Sequence, residues 1–594
     1  MNKLTYAAAF VIATGLLRYD LQQIPANTSW IGNTWGGGNS WMQNYIEEMV
    51  VDANGRCRTN SGWDEGHNER GEYWFKNGEW HVTTHGIKDV PAVSGKTINI
   101  NGKTWTINNG FVGGPNGVGI SDVQKATGLG IYRPKGYLMV CDDAPGQHVI
   151  KFFDVSTENP FLVKTFGEIG GIGGGIPGQV TPTKFWGLTG CGSDDAGNIY
   201  ISISQEGVIL RRYAAIDPQG LVWNEVPDEA IGLHFMDNAE IDRTTDGLDI
   251  WGKSEHYVMD YSQPAGKLAK LVGITLDTDR FPDDPRASNR GSIKVRYRDG
   301  KRFLFFFDQN AGALHLYRFD GELAVLFRSI KLANGRDIII NVDDDCNLWS
   351  LSGSAIEVMR CSGVESDGHL IYSEKAHFCS FPAPFTAVTQ LLYDSARDVM
   401  FLGGGSAADP TQGWGHMGPV IAKYRNWSTS RTLAWQTTVP FYHNEAPINE
   451  RIVPMSWDYA GDRLYIGYLI RDQAVRLPPP YHDSPGVIRV YNTIDGAFVG
   501  RLLAGPEVHY GASWIDIFHG ISAFERANGT HVICREEAWK AKLLLFTYTP
   551  TSGGVEPPRP SLHRPPPPHD PSAEVKRWSP LASSPAEATG PSNR

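Results

Sequence analysis

The sequence has few features of a membrane protein or of a nucleic-acid-binding protein. Beyond its N-terminal stretch it contains no run of about 18 apolar residues, the length that a transmembrane helix needs. Basic residues are fewer than acidic ones, 54 against 65, so the net charge is −11 and the pI is near 5.9. Such a balance argues against nucleic acid or an anionic membrane as a default partner. We therefore expect no nucleic-acid binding and no integral membrane segment in the body of the protein.

Cysteine is also sparse, and the common catalytic motifs are missing. The seven cysteines are scattered over 594 residues without a CxxC pair, which disfavours a zinc knuckle or a thioredoxin-like site. There is no GxSxG, HExxH or GxxxxGK[ST] motif. The glycine run at 170–178 does not open a recognisable helix, which disfavours a dinucleotide-binding loop. Motifs alone therefore assign no reaction to this chain.

The two ends of the chain differ from its body. Lys3 is followed by about 14 largely apolar residues, a length that suits a secretory signal and is too short to span a bilayer. Residues 1–25 are therefore predicted to be a signal peptide, with a buried first strand as the alternative. The signal peptide predicts a secreted or periplasmic protein, although a cytoplasmic location stays open. Residues 551–594 are rich in proline and polar residues and are predicted to be a disordered tail.

The body, residues 26–550, repeats one short pattern. A polar turn with Asp and often Gly precedes an alternating run of β-branched or aromatic residues, as at 194–197, 299–300 and 459–462. A second strand follows, and about eight such pairs can be counted. One small sheet cannot bury both faces alone, but a closed ring of sheets can, and closure protects the edges. The pattern predicts an all-β fold, a β-propeller of seven or eight blades of four-stranded antiparallel sheet, with two β-sandwiches as the alternative.

One stretch resembles a blade of the NHL-repeat family. The resemblance is carried by Phe166-Gly167, the glycines between 170 and 178, Phe185-Trp186-Gly187, Asp194-Asp195, Gly197-Asn198-Ile199-Tyr200, Ile209 and Tyr213. The sequence departs from the family pattern at 187–192, Gly-Leu-Thr-Gly-Cys-Gly, where an apolar strand is usual. Segment 44–65, and the segment that runs from 514–521 through the terminal strand, are similar to bacterial secreted propellers of mostly unassigned activity. The resemblance implies a propeller and supports an extracytoplasmic location, but it implies no substrate, because propellers host many activities.

Two polar clusters are candidate metal or catalytic sites. The first lies between residues 63 and 85 and is predicted to coordinate a divalent cation, Ca²⁺ or Zn²⁺, because carboxylates and imidazoles are suitable ligands. Its predicted metal ligands are Asp64, His67 and His81, its substrate contact is Trp63, and its acid or base is His85. The second cluster is His256 with its neighbours Glu255, Tyr257 and Asp260. Asp343-Asp344-Asp345 is similar to a calcium loop but lacks the turn glycine, so it is predicted to be a structural blade turn.

Two further clusters combine histidine with aromatic residues. One contains the candidate catalytic residues Tyr442 and His443 together with Arg451, which would bind substrate. The other contains His519 as a candidate catalytic residue, with Tyr510 and Trp514 against the substrate. An aromatic platform beside His and Arg suits the stacking of a sugar and the pairing of its charge. In a propeller, some of the loops that carry these four clusters are expected to meet over one central funnel.

The leading hypothesis is a secreted, carbohydrate-directed propeller that acts on a polysaccharide or another small-molecule ligand. It would be a polysaccharide lyase or a glycoside hydrolase. In the lyase version a His or Tyr side chain removes the proton α to a uronate carboxylate, which Arg451 or a metal ion neutralises. Two alternatives stay open: a non-catalytic propeller that binds a ligand or a protein, and a metal-dependent lactonase or amidating-type lyase.

Overall fold

The structure, a computed structural model, is built almost entirely from antiparallel β-strands. It describes residues 23–32, 42–43, 45–60, 70–82, 93–205, 207–233, 238–289, 291–331, 338–406, 420–438, 452–470, 488–504, 520–537 and 542–551. Within these ranges, helical structure is limited to three 3₁₀ turns, Pro115–Gly117, Gly171–Gly173 and Arg243–Thr245, and one short α-helix, Pro285–Ser288. None of the described helices has the length and hydropathy that crossing a bilayer requires.

Three four-stranded sheets come first in the chain, and we call them the three-sheet group. The first sheet is β2 (Glu48–Val51), β3 (Cys57–Asn60), β4 (Arg70–Lys76) and β5 (Glu79–Val82). The second is β9 (Ala126–Tyr132), β10 (Tyr137–Asp142), β11 (Val149–Asp154) and β12 (Phe161–Phe166). The third is β13 (Leu188–Ser193), β14 (Ile199–Gln205), β15 (Gly207–Tyr213) and β18 (Asp228–Gly232).

Six further four-stranded sheets form what we call the six-sheet ring. The first three are β19 (Ala239–Ile241), β20 (Asp249–Gly252), β21 (Glu255–Met259) and β22 (Ala269–Ile274); β23 (Gly291–Arg298), β24 (Lys301–Asp308), β25 (Ala313–Asp320) and β26 (Leu323–Lys331); and β27 (Ile338–Val342), β28 (Leu348–Ser352), β29 (Ala355–Met359) and β32 (Ala376–Ser380). The others are β33 (Phe385–Asp394), β34 (Val399–Ser406), β35 (Val420–Arg425) and β36 (Thr432–Thr438); β37 (Ile452–Ala460), β38 (Arg463–Ile470), β39 (Ile488–Asn492) and β40 (Phe498–Leu502); and β41 (Ile521–Glu525), β42 (His531–Glu537) and β43 (Lys542–Tyr548) with β1 (Asn27–Ile31).

Smaller sheets connect or flank these units. They are β6 (Thr97–Ile100), β7 (Lys103–Asn108) and β8 (Phe111–Gly113); β16 (Ala215–Asp217) and β17 (Val222–Trp223); and β30 (Cys361–Val364) and β31 (Leu370–Tyr372). In the last sheet of the ring, β1 pairs antiparallel with β43, so that an early strand completes a sheet whose other strands come late in the chain. Such pairing removes an open edge from the ring, as is typical of propellers.

The repeated Asp turns form because a carboxylate satisfies backbone and side-chain donors of the hairpin. Asp194 Oδ1 accepts from the backbone N–H of Asn198 at 2.9 Å, and its Oδ2 accepts from the Tyr200 hydroxyl at 3.0 Å. Asp343 accepts in the same way from the backbone N–H of Asn347 at 2.8 Å and from the indole N–H of a tryptophan two residues further on, also at 2.8 Å. This is the physical basis of the Asp–Asn–aromatic spacing, and it places Asp343 in a structural turn, as predicted.

Contacts between inner strands close the six-sheet ring. In three joints a side-chain oxygen accepts from a backbone N–H of the next inner strand: Ser522 Oγ from Ile241 (2.9 Å), Ser456 Oγ from Ile521 (2.6 Å) and Asn238 Oδ1 from Ile293 (3.2 Å). In the other joints Arg296 Nη2 donates to Val342 O (3.2 Å) and Asn341 Nδ2 donates to Leu391 O (2.6 Å). Strand β37 packs on β33, and its Trp457 also contacts Gly403 of the neighbouring β34. The strands therefore follow the order β19, β23, β27, β33, β37, β41 and return to β19.

The three-sheet group is joined differently, by close approach of backbones. A Cβ atom on Gly128 would lie 2.8 Å from the Cα of Gly190, and one on Gly130 would overlap the carbonyl oxygen of Cys191. On the other side of β13, a Cβ atom on Gly192 would lie 2.8 Å from the Cβ of Val51. Strand β13 therefore lies between β9 and β2. Gly190 and Gly192, which belong to the stretch at 187–192 that departs from the NHL pattern, are what this close packing requires.

The predicted fold class is confirmed, with a different arrangement of blades. The protein is an all-β propeller built from four-stranded antiparallel sheets. The described residues contain nine such sheets, of which six close a ring and three form a separate group, rather than seven or eight in one ring. The reason is physical: the hairpin pattern specifies each sheet, whereas the size of the ring depends on which inner strands pack together.

The loop between β12 and β13 of the three-sheet group forms backbone hydrogen bonds with β22, an edge strand of the six-sheet ring. We call this contact between the two units the junction. Ile274 of β22 donates its backbone N–H to Gly178 O at 2.7 Å, and Val180 donates to Val272 O at 2.9 Å. A hydrophobic core continues across this junction, with Ile172 on one side and Leu271 on the other. The junction therefore fixes loops of the two units against each other.

Candidate metal centre

Most of the predicted site residues lie outside the part of the chain that the structure describes. These are Trp63, Asp64, His67, His85, Tyr442, His443, Arg451, Tyr510, Trp514 and His519. Their roles, and the carbohydrate-directed activity that depends on them, stay predictions. Only His81 and His256 among the predicted site residues are described.

His81 lies on β5 at the edge of its sheet. Its ring stacks on Trp74 with centroids 5.6 Å apart, and its Nε2 is 3.2 Å from the carbonyl oxygen of Lys76. Both contacts are local to the β4–β5 hairpin. Because Asp64 and His67 are outside the described residues, the metal role of His81 stays a prediction.

His256 is buried between two acidic residues. Its Nδ1 is 2.9 Å from Glu322 Oε2, its Nε2 is 3.2 Å from Asp249 Oδ1, and its ring stacks on Trp251 at 3.5 Å. Burial lowers the pKa of His256, but the hydrogen bonds and negative charges of Asp249 and Glu322 outweigh it, and the net shift is upward. Both ring nitrogens are engaged, an arrangement that is typical of a structural histidine. Its catalytic role stays a prediction without support from this geometry.

Paired charges occupy the axis of the ring, where the loops were predicted to form a funnel. Glu240 accepts from Lys294 Nζ and from Arg296 Nη1, both at 2.7 Å. Arg243 reaches across the ring to two other sheets, with Nη2 2.7 Å from Asp458 Oδ1 and Nη1 3.7 Å from Asp344 Oδ1. About 260 Å³ of space, which includes its opening to solvent, is lined by three cationic residues, Arg243, Lys294 and Arg296, and by three acidic ones, Asp343, Asp344 and Asp458.

The electrostatics of this axial cluster favour a closed network over a ligand site. Burial would raise the pKa of Glu240, but the charges of Lys294, Arg296 and Arg243 outweigh it and bring that pKa down to about 2. Glu240 holds Lys294 and Arg296, and Asp458 holds Arg243, each at 2.7 Å. An anionic ligand would have to displace these carboxylates from the cations, so we do not place the functional site here.

A different constellation lies at the junction between the two units. His148 follows the hairpin turn after β10, and its Nδ1 is 2.8 Å from Asp143 Oδ1. Its Nε2 faces Asp279 Oδ2, in the loop after β22, at 3.7 Å, which is longer than a hydrogen bond. The side chains of Asp143 and His148 are only 7% and 6% exposed, whereas that of Asp279 is 23% exposed. The centre is thus buried on the side of the three-sheet group and partly open at Asp279.

Several contacts position these three residues. Asp143 Oδ1 also accepts from the backbone N–H of Leu188 at 3.0 Å, which holds the carboxylate between two sheets. Asp279 is held by the carboxylate of Asp277, which accepts the backbone N–H of Asp279 at 3.1 Å. The loop that carries His148 packs on Gly171, where a Cβ atom would lie 2.7 Å from the Cβ of His148. A glycine is required there because its φ is also +49°.

Two pKa values at the junction are shifted upward. Burial raises the pKa of Asp143, and the hydrogen bonds from His148 and Leu188 oppose that shift. Burial lowers the pKa of His148, but the bond to Asp143 and the charges of Asp143, Asp279 and Asp277 outweigh it. The two shifts have different causes: burial dominates at Asp143, whereas the surrounding carboxylates dominate at His148.

This geometry suits a divalent cation. Asp143, His148 and Asp279 each present a ligand atom within 4.8 Å of the others. Metal-binding histidines commonly donate the second ring N–H to a carboxylate, which fixes the tautomer, and Asp143 is placed to accept that bond. Nε2 of His148 would then face Asp279 across a gap that could hold an ion. The two atoms are 3.7 Å apart, which is less than the combined length of two ligand bonds of about 2.0–2.2 Å, so both could bind one ion.

This centre was not among the sites predicted from the sequence. Asp143 and His148 flank a single hairpin turn, and that Asp-x₄-His spacing was the signal available. Asp279 is distant in the sequence and meets them only because the loop at 177–180 docks on β22. A second group with similar atoms, Glu365, Asp367 and His369, lies on one turn with its members exposed or half-exposed.

Known proteins resemble this chain only weakly. No protein-family model matches the chain, so the NHL resemblance stays a prediction, and no curated protein matches it. Among solved structures, Sqt1 of Saccharomyces cerevisiae is 8% identical, with 71% of this chain and 95% of that chain covered and a TM-score of 0.25. The WD40 domain of Toxoplasma gondii coronin is 9% identical, covers 60% and 80% of the two chains, and has a TM-score of 0.29.

A third solved structure is a Bacteroides fragilis protein provisionally named a 6-phosphogluconolactonase. It is 12% identical, covers 56% of this chain and 88% of that chain, and has a TM-score of 0.21. Likenesses at these scores carry no argument about function. The assignment as a propeller therefore rests on the sheets and joints of this chain itself.

Proposed function

We propose that this protein is a metal-dependent hydrolase of the lactonase type, with its divalent cation at the junction centre. The observation that supports it is the orientation of His148, whose Nδ1 is held by Asp143 while its Nε2 faces Asp279. This proposal develops the metal-dependent alternative of the sequence analysis. Its ligands differ from the predicted set Asp64, His67 and His81, whose metal role stays a separate prediction.

The proposed ligands are Nε2 of His148 and the carboxylate of Asp279, with Asp143 as a positioning residue behind the imidazole. Asp277 adds a third negative charge beside them. One imidazole with carboxylates is a donor set that suits Zn²⁺. A bound divalent cation polarises a carbonyl group and lowers the pKa of bound water toward neutrality, which is the chemistry that hydrolysis of an ester requires.

The partial exposure of Asp279 gives the substrate a side from which to approach. Lys125, whose side chain is 48% exposed, has its Nζ 3.7 Å from Asp279 Oδ1. A cationic side chain at the entrance would attract an anionic substrate, such as a lactone that carries a carboxylate or phosphate. We therefore propose an anionic lactone or ester as the substrate class.

Metal content of the purified full chain tests the proposal. We expect the wild-type chain to retain about one equivalent of Zn²⁺ after dialysis, and His148→Gln and Asp279→Asn to weaken binding by about 10-fold or more. His369→Gln is the matched control, because His369 also contacts a carboxylate, that of Asp367 at 2.9 Å, but on an exposed turn. A wild-type chain without bound metal, or an equal loss in the control, would refute the centre.

Activity is the second readout. Hydrolysis of a panel of anionic lactones should be lost on chelation, restored by Zn²⁺, and absent in His148→Gln. Retention of this lactone hydrolysis after complete removal of the metal would refute the proposed reaction even if the cation binds.

A further inference from the structure

A serine, a histidine and an aspartate form a hydrogen-bonded chain on one sheet of the ring. Ser329 Oγ is 2.8 Å from His315 Nδ1, and His315 Nε2 is 3.2 Å from Asp308 Oδ2. The three residues come from the neighbouring strands β26, β25 and β24. The arrangement was not recognisable in the sequence, because no motif connects the residues.

The register of the sheet places these side chains together. His315 pairs directly with Ser329 on one side and with Phe306 on the other, so all three point to the same face. Asp308 lies two residues after Phe306 on its strand and therefore points to that face as well. The constellation is thus fixed by strand pairing, which gives a more rigid geometry than a loop would.

Two hydrogen bonds connect a buried carboxylate, through an imidazole, to an exposed hydroxyl. The side chain of Asp308 is fully buried, and it also accepts from Asn289 Nδ2 at 2.6 Å and from the backbone N–H of Ala311 at 2.8 Å. The side chain of His315 is 8% exposed, whereas Ser329 is on the surface. A buried carboxylate that accepts from one imidazole nitrogen leaves the other nitrogen free to accept the serine O–H.

We infer that Ser329 is a nucleophile for carboxylic esters, with His315 as its general base and Asp308 as a positioning residue. The serine oxygen attacks the ester carbonyl and passes its proton to His315 Nδ1, and the departing alkoxide takes that proton as the C–O bond breaks. A water molecule then attacks the acyl-serine, His315 accepts its proton, and the carboxylic acid leaves as the serine O–H re-forms. This site is separate from the junction centre and needs no metal ion.

A fluorophosphonate probe tests the nucleophile directly on the full chain. The serine oxygen would form an O–P bond as the P–F bond breaks, with fluoride leaving and the serine proton going to His315. We expect the label on the peptide that contains Ser329, none on that peptide in Ser329→Ala, and labelling about 100-fold slower in His315→Gln. Added imidazole should partly restore the rate in His315→Gly. Chelation should leave it unchanged, which separates this site from the metal centre.

Two controls distinguish a reactive serine from a merely exposed one. Ser428 is exposed and donates its hydroxyl to Asp398 at 2.7 Å without an intervening histidine, so Ser428→Ala should label like the wild type. Asp308→Asn should shift the pH profile of labelling, because an amide can stabilise the wrong tautomer of His315. A folded wild-type chain without label on Ser329, or equal rates in the wild type and His315→Gln, would overturn the inference.

Discussion

The inner strands pack against one another differently in the three-sheet group and in the six-sheet ring. In the three-sheet group the inner strands touch through glycines such as Gly130 and Gly190, so backbone lies on backbone. In the ring, side chains such as Ser456 and Asn341 bridge the inner strands, and ion pairs fill the axis. Glycine allows three sheets to meet closely, whereas six sheets leave a wider centre that must be filled by larger groups. The composition of the inner strands therefore differs with the number of sheets that meet.

The largest loss of folding stability is expected when an axial charge of the six-sheet ring is removed. Glu240→Ala would leave Lys294 and Arg296 as buried cations without their shared partner, and we expect it to destabilise the fold by about 3–5 kcal/mol. Chemical denaturation of the full chain would measure this. Replacing Glu240, Lys294 and Arg296 together by Leu, Met and Met should restore most of the loss. If the single substitution is neutral, the axial charges are not what holds this part of the ring.

A somewhat smaller loss of folding stability is expected when a glycine between two sheets of the three-sheet group is replaced. A methyl group at Gly130 would overlap the carbonyl oxygen of Cys191, so Gly130→Ala must separate β9 from β13 at a cost of about 3 kcal/mol. Gly113 is the matched control, because a Cβ atom there would meet only the carbonyl oxygen of Thr106, at 4.0 Å. Gly113→Ala should change stability by less than about 0.5 kcal/mol. Equal effects in the two variants would contradict the proposed close packing.

Acidification should destabilise the six-sheet ring, because it contains a buried neutral histidine. His531 on β42 is buried and 2.6 Å from the Tyr465 hydroxyl, and burial followed by the charge of Arg463 lowers its pKa to about 4. The unfolded chain binds a proton near pH 6.5 and the folded one does not, so stability falls as the pH drops from about 6.5 toward 4. At pH 5 the loss would be about 2 kcal/mol.

The test is the difference in unfolding free energy between pH 7 and pH 5 for the wild type and for His531→Gln. The variant should lose less stability on acidification than the wild type does, because its side chain does not titrate in this range. Identical losses would show that other groups dominate the acid response. Gly130→Ala should leave the pH dependence unchanged, since it removes no titratable group.

Turn chemistry could be predicted from the sequence, but long-range packing could not. The spacing from Asp194 to Tyr200 predicts a hairpin because the carboxylate can reach its donors within the same turn. The glycines at 190 and 192 could only be noted as a departure from the expected pattern. Their partners, on β2 and β9, are not neighbours of β13 in sequence order, and nothing local indicates which strands touch.

The residues of the candidate sites also meet through long-range contacts that the sequence does not indicate. His148 and Asp143 share a turn, but Asp279 joins them only through the docking of a distant loop. Ser329, His315 and Asp308 meet through strand register, which a shift of one residue would abolish by turning side chains to the opposite face.

The sequence by itself determined the strands, their turns and the blade-like sheets, because these depend on donors and acceptors a few residues apart. Only the tertiary structure decided that six sheets close a ring while three pack apart, and which charged side chains face one another. Those outcomes depend on contacts between residues that are far apart in the chain, where the fit of inner strands and the burial of charge determine which arrangement is stable.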